Sequence, residues 1–148
     1  MQASKWDSLL NKSLTAANKE DAAKLAKKLI QAIIGAEALL NKELTSQEAV
    51  EYAIKLALES KFFQVRTWAI KLLATCPGID VTDCLMEVIY NDLSREAVHR
   101  AIDALAIRSA GRLEIDDALQ EIADGKHKHL EPMVAERALE KRSLMQSD

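Results

Sequence analysis

The sequence predicts an all-α fold: an α-solenoid of about three helix pairs behind an N-terminal helical hairpin. Three observations predict it. Ala, Leu, Lys and Glu dominate a 148-residue chain with only four Gly and two Pro, so helix formers abound and material for hairpin turns is scarce. The stretch "QVRTWAIKLLA" at 64–74 is echoed by "EAVHRAIDALA" at 96–106 and, more weakly, by "MVAERALEKR" at 133–142. The preceding segments echo too, since "DCLMEVI" at 83–89 aligns with "DALQEIA" at 117–123 at an offset of 34, while Ala69, Ala101 and Ala138 fall in register at offsets of 32 and 37. Repeats of this period mark stacked helix–turn–helix units, because one pair has an apolar face that it cannot bury alone.

The elements follow in order. Ser4 opens a short helix with Trp6, Leu9, Leu10 and Leu14 at helical spacing, and Trp6 is expected to dock it on a neighbour. Asn18, with Asp21 three residues on, opens a long helix to about Asn41. Its apolar positions Leu25, Leu29, Ile30, Ile33, Ile34 and Leu40 cover more than one stripe. Such width suits a helix between two neighbours, or one that forms a homodimer through residues 19–41. "TSQE" at 45–48 reads as a capping box of Thr45 and Glu48, starting a helix over 46–60. Phe62 to about Cys76 completes the first pair, and in the "FF" of 62–63 one ring is expected to pack inward while the other caps the corner between the helices. "CPGID" at 76–80 then breaks the chain, because Pro77 has no N–H to donate and Gly78 tolerates a left-handed turn. The second pair spans 81–91 and 95–109 around the turn "DLS", and "GRLE" at 111–114 separates it from a third. The third pair is 115–124 and a helix with Pro132 in its first turn. The expected organisation is a hairpin over 1–44 and an array over 45–148, with pairs at 45–76, 80–109 and 115–146, in one compact domain.

Charge and cysteine usage bound the function. The net charge is −3 and the sequence pI about 5.7. Residues 1–44 carry seven Lys against five acids, and 45–148 carry thirteen Lys and Arg against eighteen acids. Nucleic-acid binding normally needs a concentrated basic face, and a net acidic repeat half argues against one. Cys76 and Cys84 form neither a CxxC motif nor a disulfide framework, and both read as small buried hydrophobes. The opening "MQASKWDSLL" lacks a basic start with an apolar run, and "LIQAIIGAEALL" at 29–40 is too short to span a bilayer. A cytoplasmic protein with no membrane partner is expected.

The second helices resemble those of HEAT-like repeats, especially the short kind found in phycobilin lyases. The family pattern has Val-Arg near the start of that helix, an Ala three residues on and a Leu four further. Val65, Arg66, Ala69 and Leu73 fit it. The second copy keeps Ala101 and Leu105 with Val98 in place of Arg66, and the third keeps Ala138 but has Arg142 in place of the Leu. The resemblance covers residues 46–146, and nothing in 1–44 takes part. It implies a right-handed α–α superhelix, second helices on the concave side, and a binding role.

With Val65, Ala69, Leu72 and Leu73 as the packed stripe, the remaining positions form two ladders across the repeats: Thr67, His99 and Glu136, then Lys71, Asp103 and Glu140. Arg66, Trp68, Arg100 and Arg137 lie beside them. These ten residues are the expected contact surface of a non-enzymatic protein-binding adaptor, although the same pattern also describes an ordinary solvated helix face. Trp68 has the composition of a hot spot, yet its phase beside Val65 and Leu72 favours the core. "HKH" at 127–129 offers two histidines and no evident third ligand, so no metal site is expected. Nor does any nucleophile elbow, phosphate loop or dinucleotide fingerprint occur, so no catalytic residue and no cofactor is expected. Two alternatives come from the resemblance. One is an enzyme subunit of the phycobilin-lyase type that binds a tetrapyrrole. The other is a HEAT-like DNA-binding protein similar to the alkylpurine DNA glycosylases, for which Trp68, Arg100 and Asp103 supply suitable side chains.

Overall fold

The structure is a computed structural model and describes residues 2–41, 44, 46–108, 113–125 and 132–146. Among these, every regular element is an α-helix, and none is long and apolar enough to cross a membrane. In chain order the helices are α1 (Gln2–Leu14), α2 (Lys19–Ile34), α3 (Ala36–Leu40), α4 (Gln47–Glu59), α5 (Phe63–Leu73), α6 (Ile79–Asn91), α7 (Arg95–Arg108), α8 (Leu113–Ala123) and α9 (Pro132–Gln146). Neighbours pack in pairs: α1 on α2, α4 on α5, α6 on α7 and α8 on α9. The chain divides into two compact units, Met1–Pro77 and Gly78–Asp148. The N-terminal helices thus share a unit with the first pair.

In the first unit α2 is the central element. Asn18 caps it by accepting a hydrogen bond from the Asp21 N–H at 2.8 Å. Its buried stripe, Ala22, Ala26, Leu29 and Ile30, serves contacts with α1, α4 and α5. Of the further apolar positions on this helix, Leu25, Ile33 and Ile34 are half-buried. The helix does not run on to Asn41 as expected. Gly35 takes φ +89° and ψ 159°, a conformation open to glycine alone, and donates its N–H to the Gln31 carbonyl at 2.8 Å. That bond closes α2, and the chain restarts as α3.

Helix α1 is tied down by three contacts. The Trp6 ring meets Tyr52 edge-on at 6.1 Å, which is the docking expected of it. The Tyr52 hydroxyl donates to Asp7 Oδ1 at 2.5 Å, and the buried Ser13 hydroxyl donates to the Ala22 carbonyl at 2.7 Å. The Asp7 carboxylate, then burial, pushes the Tyr52 phenol up to about 12. Helix α4 starts one residue later than expected. Ser46 caps it, accepting from the Ala49 N–H at 3.3 Å and donating to Glu48 at 2.8 Å. Its own backbone N–H and then Ser46 hold the Glu48 carboxyl below its usual range. Thr45, the expected cap, lies outside the described residues. Of the two phenylalanines, Phe62 is half-buried at the start of α5, with the Lys61 ammonium 5.4 Å from its ring centre, and Phe63 is exposed.

The second unit has its own core. Val81, Leu85, Val88 and Ile89 of α6 and Ala101, Ile102 and Leu105 of α7 are buried, as are Ile115, Leu119 and Ile122 of α8. Helix α7 packs on α6, α8 and α9. Its final residue, Arg108, reaches back to α6, donating through Nη2 to the Gly78 carbonyl at 2.8 Å and through Nε to Thr82 Oγ1 at 3.2 Å. Gly78 takes φ +113° at the break the sequence foretold, and α6 begins directly after it. The three alanines in register, Ala69, Ala101 and Ala138, are at most 1% exposed. A methyl side chain at a helix crossing lets backbones approach closely, which is why the register settles on alanine.

Candidate functional site

Helix α5 packs against both α4 and α2, so more than one of its faces is buried. At 100° per residue the buried positions Val65, Thr67, Ala69, Ile70, Leu72 and Leu73 sweep an arc of about 220°. Outside it lies a narrow stripe, Gln64, Trp68, Lys71 and Thr75, at spacings of 4, 3 and 4. Trp68 stands at its edge and is half-buried rather than core.

Trp68 and Lys71 of this stripe form one wall of a groove. Lys27 and Gln31, one turn apart on α2, form a second, and Ala36, Leu39 and Leu40 of α3 a third. Buried Leu72 lies at the base, and the groove encloses about 550 Å³. The turn at Gly35 creates the third wall. None of the five residues of α3 is buried, and Leu40 is 83% exposed. The groove is therefore apolar, with an indole on one side, two leucines on another, and a lysine on each of α2 and α5. Among the described residues no carboxylate lines it.

The structure brings Trp68 and Lys71 together in this groove. It corrects the placement of Thr67, expected on the outer ladder: that residue is 5% exposed, and its hydroxyl has no hydrogen-bond partner among the described residues. The reason is the width of the buried arc, which a single-stripe reading of α5 underestimates. Arg66 is half-buried and donates through Nη1 to the Ser60 carbonyl at 2.8 Å, joining α5 to the exit of α4. The other expected residues belong to the second unit. On α7, His99 and Asp103 are half-buried and Arg100 is exposed; on α9, Glu136, Arg137 and Glu140 are exposed. Sequence reasoning missed Lys27, Gln31, Leu39 and Leu40 as site residues because it placed them on one continuous helix. Gly35 was the signal that α3 turns away.

Among the described residues no three His, Cys, Asp or Glu side chains are placed to hold a metal, and His127 and His129 lie outside them. Cys76 and Cys84 are buried thiols, as expected. The Cys76 thiol points at the Leu72 carbonyl, 3.4 Å away. Burial, then the Glu87 carboxylate, pushes the Cys84 thiol up to about 12, far from the range of a reactive thiolate. Comparison with protein-family models, with curated proteins and with solved structures gave no match to this chain.

Proposed function

We propose that this chain is a non-enzymatic protein-binding module, an adaptor or assembly factor of HEAT-like repeats, and that it holds its partner on the exposed stripe of a second helix, α5. The observation that carries this reading is the apolar groove in which Trp68 and Lys71 meet Leu39 and Leu40. Tryptophan is enriched where binding energy concentrates, and a half-buried indole beside half-buried Leu39 and exposed Leu40 offers a rigid anchor of large area. The paired helices and the buried alanines at repeat register support the HEAT-like part of the reading. The role needs no cofactor.

The test is affinity capture from an extract of the source cells with wild type, Trp68→Ala, Lys71→Glu and, on the second unit, Asp103→Lys. A protein retained by wild type and Asp103→Lys but lost by the two α5 variants, all with thermal midpoints near wild type, is the expected result. A partner held equally by both α5 variants would remove α5 as the contact.

A further inference from the structure

The groove carries a statement about what fills it. We infer that its occupant is an acidic amphipathic α-helix of another protein, its apolar side chains on Trp68, Leu39 and Leu40 and its carboxylates over Lys27 and Lys71. This rests on the reading of the groove as a protein-binding site.

Charge is the first argument. Two lysines border an apolar surface, and among the described residues no carboxylate lines it and neither Lys27 nor Lys71 has an anionic partner. The cationic character extends past the groove, because Lys24 and Lys28 are also exposed on α2, within one turn of Lys27. From Lys24 to Gln31 this strip runs about 10 Å along the helix axis. Residues 1–77 carry eleven Lys and Arg against eight Asp and Glu, whereas 78–148 carry nine against fifteen, so the groove sits on the cationic unit. A ligand that matches the strip has several carboxylates spaced along one edge.

Backbone geometry is the second argument. Every wall of the groove is helical, and a helix satisfies its own amides internally. No sheet edge is offered, so an added β-strand has nothing to pair with. Proline-rich ligands dock between rows of aromatic rings, and among the described residues Trp68 is the one aromatic lining this groove. Helix-in-groove recognition needs only an apolar trough with polar rims, which is what α2, α3 and α5 provide. A small molecule fits less well. Pockets for such ligands enclose most of the ligand surface, whereas the Leu40 wall stands 83% in solvent.

The test uses the full-length chain and a display library of random peptides of about 16 residues, long enough to lie along the strip as a helix. Selection is run on wild type, with counter-selection on Leu40→Glu, a change at an exposed position that leaves the core intact, and on Trp68→Ala. The expected result is a set of clones that depend on both Leu40 and Trp68, net acidic, with apolar residues at i, i+3, i+4 and i+7. Their affinity falls at least about tenfold in Lys27→Glu/Lys71→Glu and weakens as salt rises. If the dependent clones are neutral or basic, the groove remains a docking site and its preference for acidic helices is wrong. If no clone depends on Leu40 and Trp68, both the inference and the binding reading of the groove fall. Vesicles containing phosphatidylserine and duplex DNA are assayed beside the library. Binding to either that is lost in Leu40→Glu, with no dependent peptide, would assign the groove to lipid or to nucleic acid and overturn the proposal.

Discussion

Two buried hydroxyls in the first unit have opposite fates. Tyr52 reaches the Asp7 carboxylate and so fastens α1 to α4, whereas the Thr67 Oγ1 is enclosed with no partner among the described residues. The Asp7–Tyr52 bond gives a pH dependence whose sign is fixed. The folded phenol titrates near 12 against an ordinary 10, so folding favours its neutral form. The stabilisation is fully present below pH 10 and is lost as pH rises through 12. Tyr52→Phe should lower stability by about 1 kcal/mol at pH 8, toward the low end for a bond to a carboxylate because Asp7 is exposed. The gap between variant and wild type should close in urea titrations carried toward pH 12. Thr67→Val makes the opposite prediction. It keeps the shape and removes a hydroxyl desolvated without compensation, so the thermal midpoint should rise by the equivalent of about 1 kcal/mol. Partner capture should not change, since Thr67 is enclosed; a loss of capture would return Thr67 to the contact surface.

At the scale of elements, breaks and caps were legible where the residue chemistry left no choice, and obscure where two readings shared one pattern. Pro77 and Gly78 end the first pair as the sequence indicated, and Asn18 caps α2 on Asp21. At 45–48 both Thr45 and Ser46 could have capped α4, and composition alone does not rank adjacent hydroxyls; Ser46 does so. Gly35 was harder, because the apolar spacing of α2 continues through Leu39 and Leu40 as though the helix did. Hydrophobic period reports which side chains are apolar, and it does not register a backbone that turns between them. The groove was hidden for the same reason, and the phase of Trp68 beside Val65 and Leu72 pointed into the core, whereas the residue is half-buried. Gly35→Ala should therefore act on stability and site together. A Cβ at Gly35 meets no atom within 4 Å, so the penalty is backbone strain at φ +89°, about 1–3 kcal/mol, and not a clash. The chain can relieve that strain by continuing α2 into α3, which would carry Leu39 and Leu40 away from Trp68. A lowered melting temperature with a shifted Trp68 emission, read in a Trp6→Phe background, is the expected outcome; an unchanged spectrum would mean that α3 holds its place without the glycine.

At the scale of the molecule, the alanines that the sequence echoes place in register fall in the buried core of each unit: Ala69 in the first, Ala101 and Ala138 in the second. The third copy is the faintest in sequence, since α9 retains Ala138 but not the late leucine. Even so, Ala135 and Ala138 are buried where α9 meets α7 and α8. Burial at a helix crossing needs only small residues there, so the packing of α9 does not depend on the late leucine. Each unit has a core of its own, and disruption at one alanine should therefore be local. Ala69→Arg places a guanidinium without a partner among Val65, Ile70 and Leu73, a cost of several kcal/mol that exceeds what a core of this size withstands. Hydrogen exchange should then show protection lost across residues 1–77 and kept in the helices of 78–148, with the converse pattern for Ala101→Arg. Loss of protection throughout the chain in both variants would show instead that the two units fold as one cooperative structure. Wild-type protection in Ala69→Arg would mean that the register alanine does not mark the core.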